Sequence, residues 1–161
     1  PPFSDLEEIT MTTLSWTVPM YLPETPSGIQ VNNEELWHAM VHKAQDPAKY
    51  VPYITGCEVL EEYEDGLLRE ITYADGRKVS ERVVYEPPTR MTFQAHNDPD
   101  VAEIVNEIGT DGDGRPTFTL RLTLTGDGQL KGQKDPEFLP YISNTFSSSL
   151  LPIVHGAING T

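Results

Sequence analysis

Arg69 and Glu81 carry the charged groups best placed for acid–base chemistry, and both fall in the segment Leu67 to Tyr85. That segment has the alternating polarity of two antiparallel strands joined by the turn residues Ala74-Asp75-Gly76. A turn of this type sets Arg69 opposite Glu81, on the face that also carries Leu67, Ile71, Tyr73, Val79, Val83 and Tyr85. A guanidinium orients a neighbouring carboxylate, and a carboxylate in an apolar cavity is suited to general acid–base catalysis.

Two more polar residues are predicted to face the same interior. A second turn, Tyr63-Glu64-Asp65-Gly66-Leu67, resembles the first and predicts that Glu61 also lies opposite Arg69. In the segment 101–108, the strand parity that exposes the glutamates turns Asn106 inward, where its amide can bind a substrate carbonyl or enolate oxygen. The predicted catalytic residues are therefore Glu81, Arg69, Asn106 and Glu61.

This set of side chains suits proton abstraction beside a carbonyl, ring closure or loss of water. Two other interpretations remain open from the residues alone. The same groups can form a purely structural ion-pair network, or the strand register can differ by one residue and turn them to solvent.

The elements that must position these residues follow from periodicity and turn signals. A first strand is predicted over 8–20, a helix from Asn32 or Asn33 to Gln45, and a second short helix from Asp46-Pro47 to just before Gly56. Six further strands are predicted at about 57–63, 67–74, 78–86, 90–96, 101–109 and 116–125. The last element is a long helix over 135–158, which begins at Asp135-Pro136-Glu137 and is kinked by Pro152.

Consecutive hairpins imply an antiparallel meander, and a single long apolar-faced helix must be covered by that sheet. The predicted fold class is α+β, with a seven-stranded antiparallel sheet wrapped around the C-terminal helix and two short helices after the first strand. We expect one domain over residues 1–161, with 1–7 as a flexible N-terminal segment.

The composition narrows the function classes. A formal net charge of −14 argues against nucleic acid or an anionic membrane as partner. Cys57 is the single cysteine, so no internal disulfide is possible. The sequence has no apolar run long enough to span a membrane and no signal-peptide pattern, so a cytoplasmic location is expected.

No metal or cofactor is predicted. His38 and His42 lie one turn apart on the first helix, but a solvated helix face is the more common meaning of that spacing. The segment Asp111-Gly112-Asp113-Gly114 begins like a calcium loop, yet Leu122 occupies the position that requires Glu, so a hairpin turn is favoured. No glycine-rich phosphate-binding loop is visible.

The order of several short segments resembles the AtaL-like family of small fungal proteins, within the SRPBCC superfamily of helix-grip proteins that includes Bet v 1, START domains and polyketide cyclases. The resemblance covers roughly residues 12 to 125. The segments that carry it are Thr17-Val18-Pro19, Glu35-Leu36-Trp37, Lys43-Ala44-Gln45-Asp46-Pro47, Tyr50-Val51-Pro52, Cys57-Glu58-Val59-Leu60-Glu61-Glu62, Arg69-Glu70-Ile71-Thr72-Tyr73, Glu81-Arg82-Val83-Val84-Tyr85-Glu86-Pro87 and Thr119-Leu120-Arg121-Leu122.

This resemblance implies a hydrophobic ligand cavity between sheet and helix. The residues expected to line it are Trp16, Tyr73, Tyr85, Phe93, Phe118, Leu122, Tyr141, Ile142, Thr145 and Phe146. Relatives bind, carry, cyclise, dehydrate or hydrolyse, so the family implies no single reaction.

The leading hypothesis is a cofactor-independent enzyme of secondary metabolism that cyclises, isomerises or dehydrates a small hydrophobic natural product. A carrier protein without chemistry is the alternative. A protein-interaction module with a filled interior is a third hypothesis, and homodimerisation is compatible with all three.

Overall fold

The computed structural model describes residues 12–20, 33–148 and 150. The predicted flexible segment 1–7 and the start of the predicted first strand lie outside these residues. In chain order the strands are β1 Thr13–Pro19, β2 Ile54–Tyr63, β3 Gly66–Tyr73, β4 Lys78–Glu86, β5 Arg90–Ala95, β6 Val101–Thr110 and β7 Pro116–Leu124. The helices are α1 Asn33–Gln45, a 3₁₀ turn Pro47–Lys49, α2 Gly126–Lys134 and α3 Phe138–Ser147.

The strands form a seven-stranded sheet in the order β1-β7-β6-β5-β4-β3-β2, and every pairing is antiparallel. Strands β2 to β7 follow one another as the predicted meander, whereas β1 crosses over to pair with β7. The sheet therefore has β1 and β2 at its two edges. Together with the C-terminal helix this is the helix-grip fold that the sequence predicts.

The central hairpin has the predicted register. Arg69 pairs with Glu81, and Leu67 and Ile71 pair with Val83 and Val79. The backbone N–H of Tyr73 donates to the carbonyl oxygen of Arg77 at 2.8 Å, which closes the three-residue turn. Gly76 adopts φ 88°, the left-handed conformation that this turn requires.

The register predicted for Glu61 is wrong. Gly66 does not lie within the turn but pairs with Tyr63, so only two residues join β2 and β3. This shorter turn places Glu61 opposite Leu68, and a β-bulge between Val59 and Glu61 then places Val59 opposite Arg69. One shifted position in a strand moves a side chain to the other face, so Glu61 does not flank Arg69.

The helical segments differ from the prediction in two ways. The predicted second helix is only the 3₁₀ turn Pro47–Lys49, because Pro52 follows closely and β2 begins at Ile54. Helix α2 was not predicted, because its glycines favour a turn. Its N-terminus is capped by Thr125, whose hydroxyl accepts the backbone N–H of Gly128 at 2.9 Å.

Helix α3 begins at Phe138 rather than at Asp135, whose carboxylate instead accepts the backbone N–H of Glu137 at 2.9 Å. Pro140 fits in the first turn of α3, where no helical hydrogen bond is lost. Phe138, Ile142 and Phe146 recur every four residues and are buried against the sheet. The predicted continuation of the helix, including the kink at Pro152, lies outside the described residues.

The core fills the space between the inner face of the sheet, α1 and α3. Its largest fully buried side chains include Met20, Leu36, Met40, Met91, Phe118 and Leu122. In β6 a register shift after Val101 turns the Val101 side chain inward, in addition to Asn106, which strand parity predicts to face inward. In the described part of the chain, no helix combines the length and apolar character that a membrane span requires.

Replacement of Gly66 by Ala tests the tight β2–β3 connection. Gly66 has φ 151°, and a Cβ atom there would lie 1.9 Å from the carbonyl oxygen of Val83. We expect Gly66→Ala to lower the free energy of unfolding by at least about 2 kcal/mol, measured by urea denaturation.

Gly112→Ala is the matched control, since a Cβ at Gly112 meets nothing within 4 Å. Its effect should stay within about 0.5 kcal/mol of the wild type. Equal stability of the two variants would contradict the assigned turn.

Candidate active site

The centre of the candidate site is an ion pair between the middle strands of the sheet. Arg69 on β3 and Glu81 on β4 are only 4% and 3% exposed. Arg69 donates from Nε and Nη2 to Oε1 of Glu81, at 2.9 and 2.6 Å. No described residue donates a hydrogen bond to the other carboxylate oxygen, Oε2. The pair therefore presents one carboxylate oxygen that is free to bind a ligand.

Arg69 also binds the C-terminal end of α1. Its Nη1 donates to the carbonyl oxygens of Ala44 at 2.8 Å and Lys43 at 3.4 Å. These carbonyls lack partners inside the helix, and a cation at a helix C-terminus is favourable. The guanidinium lies 4.9 Å from the centre of the Phe93 ring. Arg69 thus fixes the position of α1 on the sheet as well as that of Glu81.

Lys43 is a functional candidate that the sequence prediction missed. It is 7% exposed, and its Nζ lies 5.1 Å above the Phe93 ring. Its ammonium group makes no hydrogen bond or ion pair with the described residues. The helical spacing of Leu36, Met40 and Lys43 puts the lysine on the buried stripe of α1. That spacing is the feature of the sequence from which the burial of Lys43 could have been predicted.

The electrostatics of Lys43 follow from its surroundings. Burial lowers the pKa of Lys43 to about 7, and the positive charge of Arg69 adds to this effect while Glu81 opposes it. A lysine with such a pKa is partly a neutral amine near neutral pH. A neutral amine can act as a general base or as a nucleophile.

Two neighbouring hollows lie beside these groups. An inner cavity of about 40 Å³ is lined by Lys43, Arg69, Glu81 and Phe93, together with apolar side chains from β2, β3, β6 and β7. An outer pocket of about 410 Å³ lies between the β3–β4 turn, the segment 98–101 and α3.

Three aromatic residues line both hollows, namely Tyr53, Tyr73 and Phe146. The Tyr53 ring stacks on Tyr73 with centroids 6.0 Å apart and meets Phe146 edge-on at 5.8 Å. These rings form the boundary between the outer pocket and the inner cavity. Burial raises the pKa of Tyr73, so its hydroxyl stays protonated and can donate a hydrogen bond.

Charged residues surround the mouth of the outer pocket. Arg77 lies 4.5 Å over the Tyr73 ring and 3.6 Å from a carboxylate oxygen of Asp98. Both residues line the pocket, as does Tyr53, and none of the three was predicted to. They come from loops and turns, whose packing cannot be inferred from strand parity.

Asn106 is fully buried, and the prediction that it faces inward is confirmed. Neither its Nδ2 nor its Oδ1 has a hydrogen-bond partner in the described structure. It pairs with Met91, whereas Glu81 pairs with Ala95. Four residues along β5 and two strand spacings therefore separate them, about 13 Å in one direction and about 10 Å in the other. Asn106 is thus not part of the Arg69–Glu81 cluster, and it lines neither hollow.

The other predicted side chains divide into four groups. Tyr141, Ile142 and Thr145 line the outer pocket, Phe93 lines the inner cavity, and Tyr73 and Phe146 line both. The side chains of Trp16, Tyr85, Phe118 and Leu122 line neither, and Phe118 and Leu122 are fully buried in the core.

Two of the remaining polar groups make contacts elsewhere. Trp16 donates from Nε1 to the hydroxyl of Ser143 at 3.3 Å, which links β1 to α3. Glu61 is exposed and accepts the hydroxyl hydrogen bond of Tyr63 at 2.9 Å, away from Arg69.

One histidine of the pair spaced one turn apart on α1 contacts a tyrosine. His42 Nδ1 lies 2.8 Å from the hydroxyl of Tyr50. Among the described residues, no three His, Cys, Asp or Glu side chains come together as a metal site.

A seven-stranded antiparallel sheet packed against helices, with a buried ion pair on its inner face, defines the class of protein, one with the helix-grip fold. The signature of the AtaL family, described as acetylaranotin biosynthesis cluster protein L, matches residues 14–145. The chain belongs to this family. No curated protein matches the sequence significantly.

Solved structures with the same fold include the Zhui aromatase/cyclase from Streptomyces sp. R1128, with a TM-score of 0.64 and 14% identity, covering 92% of this chain and 94% of that one. The allergen Ara h 8.0201 has a TM-score of 0.59 and 14% identity, over 93% and 99% of the two chains. The di-domain ARO/CYC BexL from the BE-7585A biosynthetic pathway has a TM-score of 0.63 and 12% identity over 93% of this chain. This chain spans half the length of BexL.

Replacement of Lys43 by Met tests its unusual environment. The pKa of Lys43 is about 7 in the folded protein, whereas its usual value is 10.5. Between pH 7 and 10.5 the unfolded state therefore binds more protons than the folded state. The buried amine therefore destabilises the wild type increasingly as the pH falls from 10 to 7. We expect Lys43→Met to raise the free energy of unfolding by up to roughly 5 kcal/mol at pH 6, with the difference vanishing near pH 10.5.

Lys49→Met provides the control, since the Lys49 side chain is 64% exposed. Its unfolding free energy should follow that of the wild type across the same pH series. If Lys43→Met instead shows a constant difference at all pH values, Lys43 is charged in the folded protein and the assignment is wrong.

The unpartnered amide of Asn106 gives a second stability test. An apolar side chain of similar size removes the cost of burying two unsatisfied polar atoms. We expect Asn106→Leu to raise the unfolding free energy by about 1–3 kcal/mol.

Asn97→Leu should lower the unfolding free energy, because the Asn97 Oδ1 accepts a hydrogen bond from the backbone N–H of Ser80 at 2.8 Å. A loss of stability in Asn106→Leu similar to that of Asn97→Leu would show that the Asn106 amide is satisfied.

Proposed function

We propose that this protein is a cofactor-independent enzyme of secondary metabolism, which cyclises, isomerises or dehydrates a small hydrophobic natural product. Membership of a biosynthesis-cluster family and the shared fold with aromatase/cyclases support a cyclase-like role. The natural product would occupy the outer pocket and place its reacting end in the inner cavity, past the rings that line both hollows. The inner cavity of about 40 Å³ is far smaller than the outer pocket of about 410 Å³, so it has room for that end alone.

The observation that carries the proposal is the free Oε2 of Glu81. Arg69 holds the carboxylate through Oε1 alone, so the other oxygen has lone pairs directed at no described donor. Glu81 lines the inner cavity, where a reacting C–H or O–H group can reach it. Glu81 would move the proton, and Arg69 would orient it and stabilise a negative oxygen on the substrate.

The other two predicted catalytic residues, Asn106 and Glu61, are not part of the proposed mechanism. Asn106 lies too far from Glu81 to contact the same reacting atoms and lines neither hollow, so it has no role in this proposal. Glu61 has no role, because it faces solvent on the edge strand.

One observation favours a carrier without chemistry as the second candidate. Arg69 satisfies two carbonyl oxygens at the end of α1, so the ion pair has a structural use that requires no reaction. In that case the ligand would be released unchanged, and substitutions in the outer pocket would alter affinity only.

The test begins with native mass spectrometry of the protein purified from a producing host, which identifies a bound small molecule. Turnover of that molecule is then followed by liquid chromatography with mass detection. We expect Glu81→Gln to lower the rate at least about 100-fold, the usual contribution of a general acid or base. Unchanged turnover in folded Glu81→Gln would remove Glu81 from the mechanism, and unchanged ligand in the wild type would favour the carrier.

Glu70→Gln is the matched control, because Glu70 is the neighbouring carboxylate on the outer face and contacts Lys78 at 3.8 Å. It should keep the wild-type rate. Since disruption of a buried ion pair can cost about 3–5 kcal/mol, thermal unfolding of Glu81→Gln must be measured alongside its rate.

A further inference from the structure

Lys43 is a buried amine that the acid–base proposal does not use. It lines the inner cavity at 7% exposure, and its only assigned side-chain contact among the described residues is with the face of the Phe93 ring. A structural lysine at this depth would be expected to form an ion pair, because unpaired buried charges are strongly unfavourable. The nearest carboxylate on the cavity wall, Glu81, is instead bound to Arg69.

The neighbouring charges explain why Lys43 stays without an ion pair. Arg69 on β3 and Glu81 on β4 are the charged groups that face Lys43 across the cavity. Arg69 already neutralises the carboxylate and repels a second cation. This arrangement favours the neutral form of the lysine, which has a lone pair and can attack an electrophilic carbon.

We propose that Lys43 forms a covalent imine with an aldehyde or ketone group of a hydrophobic ligand in the inner cavity. The inference deepens the proposed function, on which it rests for the entry of a ligand past Tyr53 and Phe146, and it assigns a carbonyl compound as the ligand class. The amine nitrogen attacks the carbonyl carbon, and the C–N bond forms as the carbonyl electrons move to oxygen. The amine loses its two protons to that oxygen, which departs as water as the C=N bond forms. Water reverses the reaction, so no oxidant or reductant is needed.

The wall around Lys43 suits this chemistry. The aromatic face of Phe93 on one side stabilises the positive charge of a protonated imine, as it does that of an ammonium. The ring boundary between outer pocket and inner cavity limits access of bulk water, so hydrolysis of the imine is slowed. A carbonyl at the end of an apolar chain fits both the outer pocket and the small inner cavity.

Reductive trapping tests the proposal on the intact protein. The probe is hexanal, and sodium cyanoborohydride reduces any imine to a stable secondary amine that peptide mapping by mass spectrometry locates. At pH 7 we expect at least about tenfold more adduct on Lys43 than on any exposed lysine, because exposed amines are almost wholly protonated there. Peptide mapping also separates Lys43 from the α-amino group.

Two variants complete the design. Lys43→Met should lose this adduct, while Lys49→Met should retain it. Adduct spread over the exposed lysines, with Lys43 no more labelled than they are, would overturn the inference. The peptide map of the wild type gives this answer even if Lys43→Met fails to fold.

Trapping requires no turnover, so it is independent of the Glu81 test. Failure to trap Lys43, with turnover lost in Glu81→Gln, would overturn the imine and leave the acid–base proposal in place. Trapping at Lys43, with unchanged turnover in Glu81→Gln, would support the imine and remove Glu81 from the mechanism.

Discussion

The contact between Arg69, Glu81 and the end of α1 is the interaction on which the described structure most depends. One guanidinium holds a carboxylate on the next strand and two carbonyl oxygens at the helix terminus. All its partners are buried, so water cannot replace any of these hydrogen bonds if one is lost. Loss of Arg69 would leave a buried carboxylate and an uncapped helix end together. The same interaction sets the depth of Lys43, because Lys43 supplies one of the two carbonyls.

Sequence reasoning succeeded where local rules determine the structure. The type of turn at Gly76 fixes the register of the central hairpin, and that register alone brings Arg69 to Glu81. The inward direction of Asn106 followed from the period of a strand. The order of strands followed from short connections, since consecutive hairpins place consecutive strands side by side.

It failed where tertiary contacts override local rules. The two-residue turn between Tyr63 and Gly66 moved Glu61 out of the predicted cluster, although its sequence resembles that of the three-residue turn at Gly76. The distance between Asn106 and Glu81 depends on how far neighbouring strands are staggered, which parity does not give. Lys43 was overlooked because a lysine is normally assigned to solvent, although its helical position was on the apolar stripe. Lys43, which departs from the rule that lysines face solvent, is the residue among these for which we propose a function.

The crossing of β1 to the far edge of the sheet has a consequence for synthesis on the ribosome. Thr13 pairs with Thr123, so the first strand has no partner until more than a hundred further residues have emerged. At about 5–20 residues per second this delay is roughly 5–20 seconds. Throughout that interval the apolar side chains of Leu14, Trp16 and Val18 have no strand to pack beside. The sheet can therefore close only when synthesis of β7 is complete, so the fold forms late in translation.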